Sequence, residues 1–428
     1  MPHKIYLMIL AVVVAILAAL GGCDRRPGGR EKVIRVWSHQ GQEAENLAMR
    51  RIAATFNAAH AAQRLRVELI FFPDFQYTEK VAIAAAARDL PDAFDIDGPL
   101  VARFVDGGLL APLEPYFDAA TLKDFLPTII QQGTIDGHLY ALGAFDSATV
   151  LYYDRQMLSS AGVQPPPNGE GWTWEQFLAA CAALKTAGIE PLSMHMNESA
   201  DEWYTYAFSP VVWSGGGRLI AEDSATVSGI LASDANIRSI AQWQQVFVRG
   251  FASTDPVDPD PFGSGTVAMD WSGHWMARSH LEKKGERLGA MPLPRIRTPA
   301  APCGSWCWGI SAATSDPQAA AEWVRWVTDP VHGIEPIVRA NGAVPARRSA
   351  FALFPEYSKP PYALFREQLE HNARPRPRTP FYATLTSRFA AALRDIARGA
   401  DAAARLKQAE DEVQRVIDRK QGATRARD

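Results

Sequence analysis

Apolar and polar positions alternate through Val33-Ile34-Arg35-Val36-Trp37, which predicts a β-strand. The period then changes. From Glu43 to Phe56 the apolar positions include Leu47, Ile52 and Phe56, predicting a helix that ends near Asn57. Arg66–Phe72 reads as a second strand, Tyr77–Arg88 as an alanine-rich helix and Ala93–Asp97 as a third strand. This βαβαβ opening predicts a mainly parallel sheet with helices on both faces. Such sheets bind ligands just beyond the carboxyl ends of their strands, where Trp37-Ser38-His39 and Asp95-Ile96-Asp97 fall. The pattern resumes with a strand at Thr149–Tyr153 and a helix start at Trp172-Thr173-Trp174-Glu175. There Thr173 is the expected N-cap and Gln176 its capping-box partner. Asp316–Val327 reads as another helix and Asp401–Arg419 as a charged amphipathic one. Asp255-Pro256-Val257-Asp258-Pro259-Asp260-Pro261 is a stiff polar surface loop.

The N-terminus follows another pattern. Lys4 supplies a positive start, Ile5 to Leu20 carries no charge, and Leu20-Gly21-Gly22-Cys23 closes the run. That order describes a secretory signal peptide over residues 1–22. The apolar run is slightly short for a spanning helix, which needs about 17–25 residues. Leu20-Gly21-Gly22-Cys23 also resembles the lipobox of bacterial lipoproteins, which implies cleavage before Cys23 and acylation of its sulfur. Residues 23–32, polar and rich in Gly and Pro, then form a flexible lipidated leash. The expected location is outside the cytoplasm, facing the periplasm or cell exterior, held to the membrane through the lipid alone.

Removing the leader leaves about 400 residues, enough for two ordinary domains. Apolar residues make up 47% and charged residues 21% of the chain, normal for a packed soluble protein. The net charge of −3 gives no broad electrostatic reason to bind nucleic acid. Cysteines are sparse: Cys181, Cys303 and Cys307 follow Cys23. In an extended strand the four steps from Cys303 to Cys307 span about 13 Å, too far for a disulfide, so two free thiols are expected unless the loop at Gly304 is tight. No CxxC motif or His/Cys cluster has metal-ligand spacing, and neither metal nor cofactor is expected.

Several ordered motifs resemble a known family. Val33-Ile34-Arg35-Val36-Trp37 and the helix ending Phe56-Asn57 are followed by Tyr77-Thr78-Glu79-Lys80, Leu90-Pro91-Asp92-Ala93-Phe94 and Gly107-Gly108-Leu109-Leu110-Ala111-Pro112-Leu113. Then come Asp136-Gly137-His138-Leu139-Tyr140-Ala141-Leu142 with Leu151-Tyr152-Tyr153-Asp154, and Gly265-Thr266-Val267-Ala268-Met269-Asp270 with Gly273-His274-Trp275. Trp306-Cys307-Trp308-Gly309-Ile310-Ser311 resembles a late return strand. Together they resemble the bacterial extracellular solute-binding proteins of the maltose-binding-protein class, the capture subunits of ABC importers. The resemblance implies an α/β fold of two lobes joined by a hinge, each lobe a mainly parallel sheet flanked by helices. It assigns residues 33–144 and 300–342 to the first lobe, and 147–297 and 345–428 to the second. Crossings at Gly143–Ala148, Pro292–Arg297 and Gly342–Pro345 are the hinge candidates. The implied partners are a sugar or small oligosaccharide and an ABC-transporter permease, with the protein acting as a monomer.

A sugar site needs aromatic plates for C–H faces and polar groups for hydroxyls, and this chain has 12 Trp. The resemblance places Trp37, His39 and Gln42 in a ligand-facing loop, Asp97 after the third strand and Asp146 in the first crossover. It places Trp203 and Tyr204 on an aromatic plate of the second lobe, Asp270, Trp271 and Trp275 in the Gly-x-Trp region, and Trp306 at the return strand. Arg378, in the run Arg374-Pro375-Arg376-Pro377-Arg378, is the arginine closest to a possible ligand role. Plainer readings stand beside these: Trp37 as core, His39 as a solvated loop residue, Asp97 and Asp146 as caps, Trp203 and Tyr204 as packing aromatics. Gly41 and Gln42 stand where maltose-binding protein carries charged contacts, which leaves the identity of the sugar open. The same fold would suit glycerol phosphate or another polar solute if it held an arginine cluster. An exported glycosidase would instead need paired carboxylates, but no hydrolase motif is present. A sensor co-receptor or adhesin would have the same sequence.

Overall fold

The computed structural model describes residues 31–425, so the leader, Cys23 and most of the leash lie outside the described residues. Strand β1 (Lys32–Gln40) leads into helix α1 (Glu43–Ala59), β2 (Leu65–Pro73), α2 (Asp74–Ala87) and β3 (Ala93–Asp97). β1 runs parallel to both β2 and β3, pairing Lys32 with Leu65 and Val36 with Ala93. α1 turns Met49, Ile52, Ala53 and Phe56 to the core, while Leu47, one of its expected apolar positions, stays exposed. Short strands β4 (Leu110–Ala111), β5 (Ala141–Gly143) and β6 (Phe145–Asp146) precede β7 (Thr149–Asp154).

A second sheet begins at β7. Helix α3 (Trp174–Thr186) opens on the expected capping box, the Thr173 hydroxyl accepting from Gln176 N at 3.2 Å and Gln176 Oε1 from Thr173 N at 2.9 Å. It is followed by β8 (Glu190–Ser193), helix α4 (Asp201–Ser214), β9 (Val267–Gly273) and β10 (Leu288–Met291). The order is β8-β9-β7-β10, with β8 parallel to β9 and β7 antiparallel to both its neighbours. The chain then returns through β11 (Ala301–Cys303) to β12 (Trp306–Ser311), which enters the first sheet antiparallel to β3, β4 and β5. The parallel pattern therefore holds for β1–β3, and the strands that cross between sheets reverse it.

Helices α5 (Pro317–Val327) and α6 (Glu335–Asn341) cover the first sheet, and β13 (Val344–Pro345) pairs with β6. β14 (Ala373–Pro375) runs parallel to β11, and helices α7 (Tyr382–Ala397) and α8 (Ala402–Arg425) close the chain, α7 packing on α4. One core, around Trp243, Trp271 and Phe208, fills the second lobe. A second, around Phe56, Trp323 and Ile310, covers one face of the first sheet and continues to Val150 and Tyr152 of the second, and a third, around Phe94, Val81 and Ile96, covers the other face of the first sheet. The chain passes between the sheets at residues 144–148, between β10 and β12, and near the β6–β13 ribbon. Just past Pro345, Arg347 and Ser349 bind Asp124, so this stretch adheres to the first lobe. Cys303 and Cys307 are free and buried on separate strands.

Candidate functional site

A cleft of about 860 Å³ lies between the two sheets. From the first lobe, His39 lies next to the end of β1, Gln42 caps α1, Asp97 ends β3 and Trp306 begins β12. The His39 and Trp306 rings stack, centroids 3.6 Å apart and planes within 8°. Asp95, buried behind them, accepts from Ser38 Oγ at 2.8 Å and from His39 N at 3.0 Å, and lies 2.7 Å from His39 Nδ1. Glu45 folds back to accept from Gln42 N, and its carboxylate lies 2.5 Å from where a Cβ on Gly41 would stand.

From the second lobe, α4 presents Glu202, Trp203 and Tyr206, and the end of β9 presents Ser272, His274 and Trp275. The Trp275 ring lies 6.2 Å from Trp203 and 6.1 Å from Tyr206, and His195 meets Trp203 edge-on at 5.6 Å. The Gly-x-Trp spacing has a steric cause. The indole of Trp275 folds over Gly273, where an added Cβ would sit 2.1 Å from the ring. Beneath this wall Asp270 is buried between two histidines, accepting at 2.7 Å from His195 Nε2 and 2.9 Å from His280 Nε2. Burial opposes charge on His195, but the Asp270 carboxylate outweighs it and raises its pKa. Burial likewise opposes ionisation of Asp270, and the two histidines reverse this and hold its pKa below the usual range. His274 has no such partner, and burial pushes it down to about 3.

The floor joins the lobes. Arg376 donates from Nη1 and Nη2 to Asp97 Oδ2 and Oδ1 at 3.1 and 2.8 Å, and from Nη1 to Glu202 Oε1. The Tyr382 hydroxyl also donates to Glu202, at 2.6 Å. Arg376 can lie this deep because Gly304, at φ +137°, leaves room where a Cβ would stand 2.8 Å from its Nη2.

Six of the residues expected at the site line this cleft: His39, Gln42, Asp97, Trp203, Trp275 and Trp306. The other six do not. Trp37 lies one alternation deeper on β1 and packs on Phe72, centroids 4.7 Å apart. Tyr204 is buried, its hydroxyl donating to Met196 O, because adjacent helical residues point about 100° apart and Trp203 takes the cleft face. Trp271 faces away from Ser272 on β9 and donates to Ala207 O within the core. Asp270 sits behind His195 as its orienting carboxylate. Arg378 donates to the carbonyls of Gln131 and Thr134. Asp146 is fully buried, binding Thr128 Oγ1, Gln132 Nε2, and the backbone N of Ser147 and Gly304. Burial raises its pKa. Asp146→Ala strands these four donors in the interlobe connection and is expected to cost about 3 kcal/mol in urea unfolding. A loss under about 1 kcal/mol would remove that structural role.

His195, Glu198, Glu202, Tyr206, Arg376 and Tyr382 were not anticipated. Tyr206 had a signal: it stands at i+3 from Trp203, the spacing that shares a helix face.

A family model described as bacterial extracellular solute-binding protein matches residues 40–332. The chain is 27% identical over 126 residues to a putative binding protein of Brucella abortus, an alignment spanning 29% of each chain. It is 27% identical over 173 residues to the melibiose/raffinose/stachyose-binding protein of Bacillus subtilis, covering 40% of this chain and 38% of that one. The alignments thus span less than half the length of these curated relatives. Among solved structures, the sugar-binding protein MalE of Xanthomonas citri superposes with a TM-score of 0.79 at 19% identity, over 92% of this chain and 99% of that one. The cyclic alpha-maltosyl-1,6-maltose binding protein of Arthrobacter globiformis gives 0.78 at 22%, over 91% and 99%. These structures share the two-lobed α/β fold.

Proposed function

Because the chain belongs to the bacterial extracellular solute-binding proteins, we propose that it captures a short oligosaccharide between its lobes and delivers it to an ABC-transporter permease. The observation that carries this reading is the placement of aromatic plates on both sides of one cleft. Trp306 stands on the first lobe and Trp203 and Trp275 on the second, with carboxylates and hydroxyls between them. Indole faces suit the C–H face of a sugar ring, and the carboxylates accept from its hydroxyls. About 860 Å³ is near the top of the roughly 300–1,000 Å³ range of small-molecule pockets, room for more than one ring. Ligand contacts to both lobes favour a closed state, reached by bending at the interlobe crossings.

The test is tryptophan fluorescence and thermal melting of the full-length protein against mono-, di- and trisaccharides. A saturable response to one sugar, with no product formed and a smaller radius of gyration at saturation, supports capture by closure. Silence across the panel would count against it, and product formation would make the protein an enzyme. Export with a lipid anchor at Cys23 belongs to the same proposal. Cys23→Ala is expected to release the protein from membranes, and continued membrane retention would remove the anchor.

A further inference from the structure

The charged groups at the cleft floor are paired in a way that bears on which ligands can enter. Arg376 is 4% exposed at its side chain and touches carboxylates from opposite lobes, Asp97 at 20% and Glu202 at 32%. Its guanidinium lies 5.3 Å over the Tyr206 ring. Both terminal nitrogens are engaged, Nη1 twice and Nη2 once, and the buried Nε has no acceptor among the described residues. Around the whole cleft, the carboxylates of Glu45, Asp97, Glu198 and Glu202 outnumber the guanidiniums of Arg103 and Arg376, and the lining imidazoles of His39 and His195 are each paired with a buried carboxylate, Asp95 and Asp270. Arg103 is exposed at the rim, where water screens it. Arg378, the other arginine near the floor, is turned to backbone carbonyls.

We propose that Arg376 sets the charge class of the ligand. Committed to one carboxylate from each lobe, it fixes two hydrogen-bond acceptors at the floor and leaves no cation there for an anion. The cleft therefore takes uncharged, hydroxyl-rich ligands and turns away uronates and phosphate esters. This rests on the sugar-capture reading for the neutral ligand, but the exclusion of anions stands on the floor alone.

The experiment compares the wild-type protein, Glu202→Gln, and the double variant Asp97→Asn/Glu202→Gln, each checked for fold by circular dichroism. Inorganic phosphate and glycerol 3-phosphate are followed by thermal melting, and neutral oligosaccharides and their uronic-acid counterparts by calorimetry. In the wild type, neither phosphate is expected to raise the melting temperature, and no uronate to bind within tenfold of its neutral counterpart. The double variant frees Arg376 while keeping the floor's shape. It is expected to be stabilised by inorganic phosphate and to lose more than tenfold in affinity for the neutral sugar. Glu202→Gln alone should fall between the two. Wild-type stabilisation by either phosphate, or a folded double variant that gains no phosphate response, would overturn the proposal. The phosphate arm needs no sugar, so a silent sugar panel would sink the capture reading and leave this one to be judged separately.

Discussion

Trp275→Ala is expected to weaken sugar binding about a hundredfold, the loss typical of a central aromatic anchor. Trp275 stands between Trp203 and Tyr206, so its removal opens the second-lobe wall and strips a ligand ring of its stacking partner. Gly273→Ala should act in the same direction without deleting an aromatic group, because its Cβ would displace the indole. Trp271→Phe is the contrast. Trp271 is buried in the second-lobe core, and its replacement should lower the melting temperature while affinity changes little. Calorimetry on the three variants checks this. Equal affinities for Trp275→Ala and wild type would show that the ligand does not use this wall.

Acid should destabilise the protein through His274. Its folded pKa is about 3, against about 6.5 for an unperturbed histidine. As pH falls from about 6.5, the unfolded chain binds a proton that the folded site refuses, so stability drops by about 1.4 kcal/mol per pH unit. By about pH 3 the loss amounts to several kcal/mol, a large part of a typical folding free energy. The pair beside it has other signs. Stability from the raised His195 is present below the ordinary histidine pKa and is lost as pH rises through the folded value. Stability from the lowered Asp270 is present above the ordinary carboxylate pKa and is lost as pH falls through its folded value. Urea unfolding of wild type and His274→Gln between pH 7 and about 4 separates these contributions. The variant should lose about one proton's worth of slope. Parallel curves would mean that His274 is protonated in the folded protein.

Much of the fold was legible because local signals agreed. The Thr173–Gln176 capping box, the alternation of β1 and the βαβαβ order each specify geometry within a few residues. The antiparallel entry of β12 was not legible, since its direction is set by a crossing from a distant segment. At the site, the loss came from faces. Trp203 and Tyr204 are neighbours in sequence and diverge on the helix, and Trp271 and Ser272 diverge on the strand. The arginines show the same limit: pairing with β11 stops at Pro375, and past it Arg376 turns inward while Arg374 and Arg378 stay outside. No spacing rule in the sequence marks where a strand pairing ends.

The stack of His39 on Trp306 makes that indole a one-sided surface. One face is already covered by imidazole, itself tied to Asp95. A ring laid on Trp306 must come from the opposite side, and must offer its flatter, axial-hydrogen face to do so. The cleft is therefore one-directional at this plate: a ring that stacks on Trp306 approaches from the side away from the histidine.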